Sequence, residues 1–232
     1  MSIDIHTTDI ATVLSHSKRY SMTTLGSIEY LYNTCLEVQS AGILGDFVET
    51  GTWRGGSSIT MAYAAYKYSQ EHNLVSRTTW GFDSFEGMPP LSENDGRGGE
   101  LNYGPGTLTV TLEEISNTAY NYFGLSPEYL KLIKGWFNTT APEYSSIIGP
   151  ISILRMDGDW YESTMDVLQN LYNQLSVGGY LIIDDYRDWV GCRRAVNDFF
   201  ISLGLIPEDF PRDNLASIFI PILDCFYYRK EA

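Results

Sequence analysis

Three aspartates follow apolar runs in the second half of the chain, at positions where strands of a sheet would end. Asp157 follows one such run, and Asp184 and Asp185 follow another. If the two strands are neighbours in a parallel sheet, the three carboxylates converge at one edge. Carboxylates at close range repel one another unless they are protonated or share a cation. No His or Cys adjoins them, so a hard, oxygen-binding ion such as Mg²⁺ is the expected ligand. Alternatively, Asp185 or the nearby Asp159 caps the helix that follows it.

A glycine-rich turn, Glu49–Ser57, follows the first apolar strand. Its glycines allow a tight turn and a close approach of the backbone to a ligand. The turn is not a P-loop because the required Lys is missing, and Trp53 interrupts the dinucleotide fingerprint G-x-G-x-x-G. Glu49 suits a ligand with an ammonium group or ribose hydroxyls, and Asp83, at the end of the second strand, suits ribose hydroxyls. The structural alternative is an ordinary strand-to-helix turn and a turn-capping Asp.

Helical and extended patterns alternate along the 232 residues. Helices are predicted over residues 23–41, 56–72, 112–123, 162–175 and 190–203. Strands are predicted over 45–50, 78–83, 129–134, 151–156 and 180–183, with two more within 216–228. The Gly- and Pro-rich stretch Gly87–Gly106 is predicted as a loop. The alternation indicates an α/β fold, with one domain over residues 1–232 and a mostly parallel sheet that carries helices on both faces.

The charge of the chain excludes some classes of partner. There are 29 Asp and Glu residues against 15 Lys and Arg, which gives a formal net charge of −14. Such a chain repels phosphate backbones and anionic membranes, so neither nucleic acid nor a membrane is expected as a partner. No apolar run reaches the ~18–20 residues of a membrane helix. The N-terminus lacks the features of a secretory signal, and the three Cys are far apart, which together predict a cytoplasmic protein.

Five segments resemble the macrocin O-methyltransferase (TylF/MycF-type) family. They are GDFVETGTWRGGSS (45–58), GFDSFEGMP (81–89), KGWFNTT (134–140), RMDGDWYESTMD (155–166) and GGYLIIDDYRDWVGCRRAV (178–196). The resemblance implies a Rossmann-like class I methyltransferase fold, with a mostly parallel seven-stranded sheet and an antiparallel C-terminal strand. It also implies an S-adenosylmethionine-dependent O-methyltransferase that uses Mg²⁺ or another divalent cation. Its acceptor would be a sugar hydroxyl of a glycosylated natural product.

The resemblance also assigns roles to individual residues. The implied metal ligands are Asp157, Asp184 and Asp185. The implied cofactor-binding residues are Met22, Thr23, Glu49, Thr50, Gly51, Thr52, Arg54, Ser57, Asp83, Ser84, Gly135 and Trp136. The N-terminal helical segment 1–42, including Arg19, would close over the cofactor, and the lid loop 84–110 would cover the acceptor. Two residues depart from the family pattern: Thr139 replaces an Asp near the adenine, and Trp160 replaces a Met, which implies a bulkier acceptor pocket.

Methyl transfer to an alcohol requires the acceptor hydroxyl to lose its proton, and a bound cation assists by lowering the hydroxyl pKa. Catalytic roles are expected for Asp157 and Asp184, with Asp157 as the base and Asp159 or Asp184 as alternatives. The expected acceptor is a small hydroxylated molecule, a glycoside, and a catechol-type or other small diol is the alternative. A nucleoside-binding module without activity is the third hypothesis. The resemblance further implies a homo-oligomer, most simply a dimer.

Overall fold

The computed structural model describes residues 2–95, 103–205 and 225–231. Its helices are α1 (Ile10–Lys18), α2 (Leu25–Ser40), α3 (Gly56–His72), α4 (Leu112–Ser116), α5 (Phe137–Ile148), α6 (Tyr161–Leu171) and α7 (Val190–Ser202). Its strands are β1 (Asp46–Thr50), β2 (Thr79–Asp83), β3 (Leu130–Lys134), β4 (Ile151–Met156), β5 (Leu175–Ile183) and β6 (Phe226–Arg229). A π-helix, Asn117–Tyr122, continues α4, and a 3₁₀ turn, Tyr172–Gln174, continues α6.

The strands form one sheet in the order β3-β2-β1-β4-β5-β6. β1 to β5 are parallel, and β6 runs antiparallel to β5. The strand order reverses between β1 and β4, which is the place where open α/β sheets bind ligands. The register aligns the ends of three strands, because Thr50 pairs with Met156 and Met156 pairs with Ile183. The residues that follow β1, β4 and β5 therefore emerge side by side.

Two apolar clusters cover the two faces of the sheet. Alternate residues of one strand point to opposite faces, so Phe47 of β1 packs in the cluster that includes α2 and α3, and Val48 packs in the other cluster. The same alternation places Ile153 of β4 in the first cluster and Leu154 in the second, which includes α6 and α7. The expected arrangement of a sheet between two helical layers is confirmed.

Most of the predicted elements are present, and three differ. The described residues contain six strands rather than seven, and the predicted strand near 216–220 lies outside them. β5 begins at Leu175 rather than after Gly178-Gly179. A register irregularity opposite Ile151–Ile153 accommodates these glycines, and a Cβ on Gly179 would lie 2.8 Å from the Ser152 carbonyl oxygen. The predicted helix 162–175 correspondingly ends earlier, at Leu171.

The sequence patterns missed α5, and they gave no bounds for α1, which lies in the N-terminal segment 1–42 that was expected to be helical. Pro142 lies inside α5 and lacks the N–H of a regular helical residue, which obscures the helical pattern there. α1 is short, and the side chain of Asp9 caps it by accepting from the Thr12 backbone N–H at 3.0 Å. Within the ranges given above, no helix is both long enough and apolar enough to span a membrane.

Candidate functional site

A cavity opens where the carboxyl ends of β1, β2 and β4 meet. Its empty space is about 870 Å³, including the part open to solvent. Most residues with predicted site roles line it: Met22, Thr23, Glu49, Gly51, Thr52, Ser57, Asp83, Ser84, Trp136, Asp157 and Asp184. The sheet topology thus gathers residues that are far apart in the sequence.

The turn after β1 is pressed tightly against the end of β4. Gly51 has a φ of +90°, and a Cβ at this position would lie 1.7 Å from the carbonyl oxygen of Asp157. The backbone N–H of Asp157 in turn donates to the Thr50 carbonyl oxygen at 2.8 Å. Only glycine combines this φ with this close approach. Gly51 therefore fixes the distance between the glycine-rich turn and the first of the three aspartates.

Asp83 is held at the end of β2 by backbone donors. Its carboxylate accepts from the N–H groups of Trp53, at 3.0 Å, and Phe85, at 2.8 Å. Burial raises the pKa of Asp83, and these hydrogen bonds act in the opposite direction. Trp53 adopts a φ of +46° and so turns its N–H toward the carboxylate. Asp83 lines the cavity in a fixed orientation, as an acceptor for ligand hydroxyls requires.

Arg155 is the functional residue that the sequence analysis missed. Its buried guanidinium donates from Nη1 to Glu49 at 2.7 Å and to Asp157 at 2.8 Å, and from Nη2 to Asp184 at 2.6 Å. Burial opposes the charge of Arg155, but these carboxylates raise its pKa well above the usual value. Glu49 is buried as well and also accepts from the Ser58 hydroxyl. The signal in the sequence is a single Arg in an otherwise uncharged strand, because a buried Arg requires acidic partners.

The carboxylates of Asp157, Asp184 and Asp185, called the acidic cluster below, offer oxygen atoms that lie within 4.8 Å of one another. Burial, followed by the charges of the other acids, raises the pKa of Asp157 and Asp185 well above the usual value. The single positive charge of the Arg155 guanidinium cannot neutralise the negative charge of the acidic cluster and Glu49 together. The donor set, all carboxylate oxygens, matches the preference of Mg²⁺ and similar hard cations. The residues present therefore fit a divalent cation.

Asp159 lies beside the acidic cluster and also lines the cavity. Its φ is +57°, and its backbone N–H donates to Asp185 Oδ2 at 3.0 Å. Burial, together with the charge of Asp184, raises the pKa of Asp159 to about 7, while a hydrogen bond from the Trp189 side chain opposes the shift. The predicted alternative that Asp159 or Asp185 caps the helix after it does not describe these contacts. The first N–H of α6 donates to Asp95, and α7, which follows Asp185, has no side-chain hydrogen bond at its N-cap.

The N-terminal segment reaches the same cavity. Tyr20, Ser21, Met22 and Thr23 line it, and the Tyr20 carbonyl oxygen accepts from the Gly56 N–H at 3.0 Å. This bond ties the segment to the first turn of α3. The Met22 side chain is more than half exposed.

Four of the predicted site residues lie next to the cavity without lining it. They are Thr50, Arg54, Gly135 and Asp185. Arg54 stacks on Trp53, with Cζ 4.7 Å from the ring centroid, and Gly135 donates its N–H to the Asp83 carbonyl oxygen at 2.9 Å. Trp160 is buried and is not among the described residues that line this cavity, so its expected effect on the acceptor pocket stays a prediction.

The sequence model of the macrocin O-methyltransferase (TylF) family matches residues 13–213, most of the chain. The chain belongs to the TylF macrocin O-methyltransferase family. The demethyldecarbamoylnovobiocin O-methyltransferase of Streptomyces niveus is 38% identical over 193 residues, which are 82% of this chain and 71% of that protein. An 8-demethyl-8-(2,3-dimethoxy-alpha-L-rhamnosyl)-tetracenomycin-C 4'-O-methyltransferase of Streptomyces olivaceus is 39% identical over 178 residues. These cover 75% of this chain and 64% of that protein.

The solved structure of the O-methyltransferase NovP has the same fold as this chain. It superposes with a TM-score of 0.75 at 33% identity, covering 92% of this chain and 83% of that one. The fold predicted from the sequence is thereby confirmed, as is the enzyme class, an S-adenosylmethionine-dependent O-methyltransferase. The hypothesis of a nucleoside-binding module without activity is correspondingly disfavoured.

Proposed function

We propose that this enzyme methylates a sugar hydroxyl of a glycosylated natural product with the help of a divalent cation, in the first place Mg²⁺. The observation that carries the proposal is the position of the acidic cluster. Two of its members, Asp157 and Asp184, line the same cavity as Asp83, the expected ribose acceptor. A methyl donor and a cation-bound hydroxyl would therefore share one enclosed space.

The residues that would hold the cofactor surround the end of β1. Asp83 would accept from ribose hydroxyls, and Trp136, at the start of α5, would lie near the adenine. Glu49 and the Gly51 turn would bind the amino-acid part, and Met22 and Thr23 would cover it. When bound, S-adenosylmethionine supplies an electrophilic methyl group, and the cation supplies positive charge that lowers the pKa of a nearby hydroxyl.

The acidic cluster would hold the cation, and a carboxylate beside it would take the proton of the acceptor. Asp157 is the base expected from the sequence, but Arg155 already binds its Oδ2 and the cation would engage it further. Asp159 lines the cavity without an ion pair to a described residue. This contrast favours Asp159 as a second candidate for the base. In either case the side chain acts at the acceptor oxygen, where correct placement contributes much of the rate.

The acceptor class rests on the family and on the walls of the cavity. The name of the Streptomyces olivaceus relative specifies a rhamnosyl-tetracenomycin. Apolar side chains of Met88, Pro89, Leu108 and Phe137 line the cavity together with the acids. The neighbouring hydroxyls of a sugar would face the acidic residues, and an apolar aglycone attached to that sugar would contact the apolar side chains.

Calorimetric titration tests the cofactor and cation together. Protein dialysed against EDTA is titrated with S-adenosylmethionine and S-adenosylhomocysteine, with and without Mg²⁺, and turnover is then measured on a panel of glycosides and catechols. The proposal expects cofactor binding, restoration of turnover by Mg²⁺ and a preference for glycosides. Full turnover in EDTA would refute the cation, and a preference for catechols would refute the sugar acceptor. Sedimentation velocity tests the expected homodimer.

A further inference from the structure

Helix α6 is capped by a residue from a distant loop. Its N-cap residue is Trp160, whose side chain makes no capping hydrogen bond. Instead, Asp95, in the loop that follows β2, accepts the backbone N–H of Tyr161 through Oδ1 at 2.7 Å. The other oxygen, Oδ2, accepts from the backbone N–H of Ser92 at 2.7 Å and from its hydroxyl at 2.8 Å. A carboxylate at this end of a helix is favoured by the helix dipole as well as by the hydrogen bond.

Trp160 holds the same loop at a second point. Its indole Nε1 donates to the Pro89 carbonyl oxygen at 3.2 Å, and its ring packs edge-on against Trp189, with centroids 4.9 Å apart. Both Trp160 and Asp95 are buried, with 2% and 3% of their surface exposed. The loop is therefore fastened to the start of α6 by two hydrogen bonds, each of which uses a buried side chain.

Gly191, at the start of α7, closes the space behind Asp95. A Cβ on Gly191 would lie 2.0 Å from Asp95 Oδ1 and 2.9 Å from the Tyr161 nitrogen. Any larger residue at this position would have to displace the Asp95 carboxylate. The structure thus offers a way to disturb the cap without altering Asp95 itself.

The two anchored segments form walls of one cavity. The loop contributes Met88 and Pro89, and the segment that leads into α6 contributes Asp157 and Asp159. The hydrogen bonds of Asp95 and Trp160 join these segments directly. They therefore set the position of the apolar wall relative to the acids.

We propose that Asp95 is a positioning residue for the acceptor: by capping α6 from the loop, it holds Met88 and Pro89 in place within the wall of the cavity that Asp157 and Asp159 also line. The inference rests on the proposed function in one respect, namely that this cavity receives the acceptor. Asp95 contacts neither the acceptor nor the cofactor in this role. It acts through the placement of the loop.

Kinetics and hydrogen exchange on the Asp95→Ala, Asp95→Asn and Gly191→Ala enzymes test the proposal. We expect Asp95→Ala and Gly191→Ala to raise the acceptor KM by about 10- to 100-fold, while the dissociation constant of S-adenosylmethionine changes by less than about two-fold. Asp95→Asn retains an oxygen for the Tyr161 N–H and should keep more activity than Asp95→Ala. The Tyr161 amide should exchange faster in Asp95→Ala than in the unaltered enzyme.

A double-mutant cycle separates positioning from a general loss of stability. Once Asp95 is Ala, the closest contact of a Cβ at Gly191 is gone, so Gly191→Ala should raise the acceptor KM less than it does alone. Asn94→Ala is the matched control, since the hydrogen bond that the Asn94 side chain donates to Glu162, at 3.2 Å, is exposed, and the acceptor KM of this variant should not change. Additive effects, or equal losses of acceptor and cofactor affinity, would overturn the proposal. If the unaltered enzyme methylates no acceptor, the proposed function fails, whereas unchanged exchange at Tyr161 in Asp95→Ala would refute the cap itself.

Discussion

Arg155 Nη2 donates to Asp184 Oδ1 at 2.6 Å, across the boundary between β4 and the end of β5. The same guanidinium reaches Glu49 on the other side of β4 through Nη1. One buried cation therefore joins the cofactor side of the cavity to the acidic cluster. Replacing Arg155 alone therefore tests how the charge balance of the site contributes to stability.

Replacing Arg155 by Met should destabilise the fold strongly. The substitution leaves Glu49, Asp157 and Asp184 without their shared partner, and breaking a buried ion pair in this way typically costs about 3–5 kcal/mol. Urea denaturation measures the loss, and Mg²⁺ should recover part of it if the cluster binds a cation. Arg194→Met is the matched control, because the contacts of Arg194, an ion pair with Asp198 and a stack on the Tyr161 ring, lie at the surface. This substitution should change stability by less than about 1 kcal/mol. Equal effects of the two substitutions would contradict the role of Arg155.

Asp157→Asn should abolish turnover while cofactor binding survives. The amide keeps the shape of the side chain but removes one charge from the acidic cluster and cannot take up a proton. We expect turnover to fall by at least about 100-fold. Titration with S-adenosylhomocysteine measures cofactor affinity. Electron paramagnetic resonance of added Mn²⁺ measures cation binding independently of activity. Glu113→Gln, on the exposed first turn of α4, is the control. Unchanged turnover in Asp157→Asn would remove Asp157 from the mechanism.

Asp159→Asn then separates the two candidate bases. If Asp159 is the base, its amide variant should bind Mn²⁺ with nearly the affinity of the unaltered enzyme and still lose turnover by about 100-fold or more. If Asp157 is both ligand and base, Asp159→Asn should retain most of its activity, and Asp157→Asn should lose Mn²⁺ binding and turnover together. The pair of variants therefore distinguishes a proton acceptor from a metal ligand.

The acids at the strand ends could be predicted because their positions follow from local patterns. Each strand is apolar and short, and parallel strands in an α/β sheet end at one edge, so Asp157, Asp184 and Asp185 were expected to converge. The role of Arg155 could not be predicted with the same means. It depends on the register that pairs Glu49 with Arg155, and these two residues are 106 positions apart. Local periodicity carries no information on such a register.

The contacts of Asp95 were missed for a related reason. Asp95 lies in a stretch whose Gly and Pro content predicts a loop, and that prediction says nothing about which helix the loop meets. The only local signal is Trp160, a poor N-cap residue before a helix that needs one. The hydrogen bond from the Trp160 indole to the Pro89 carbonyl oxygen was not predicted either.

Gly51→Ala should lower both stability and cofactor affinity. A methyl group at Gly51 would lie 1.7 Å from a backbone oxygen of Asp157, so the turn must move away from β4. Gly42→Ala is the control for backbone strain alone, because Gly42 also has a positive φ, +68°, but nothing lies within 4 Å of its Cβ position. Gly42→Ala should cost about 1–2 kcal/mol with cofactor affinity unchanged. Gly51→Ala should cost more, and calorimetry should show a cofactor affinity at least about 10-fold weaker.

A neutral glycoside should be a better acceptor than the corresponding nucleoside diphosphate sugar. Among the described residues that line the cavity, Arg155 is the one cation, and three carboxylates already engage it. Even with a divalent cation in the acidic cluster, that cation and Arg155 carry less charge than the acidic cluster, Glu49 and Asp159 together. A diphosphate would therefore meet net negative charge without a free basic side chain to bind it, and like charges at short range repel. We expect kcat/KM for the glycoside to exceed that for the nucleotide sugar by at least about 10-fold at low ionic strength, and the ratio to shrink as salt screens the repulsion.

Competition between the two acceptors in one reaction, resolved by mass spectrometry, measures the ratio directly. Preference for the glycoside would place a glycosyl transfer before this methylation, and preference for the nucleotide sugar would reverse that order and contradict the charge argument.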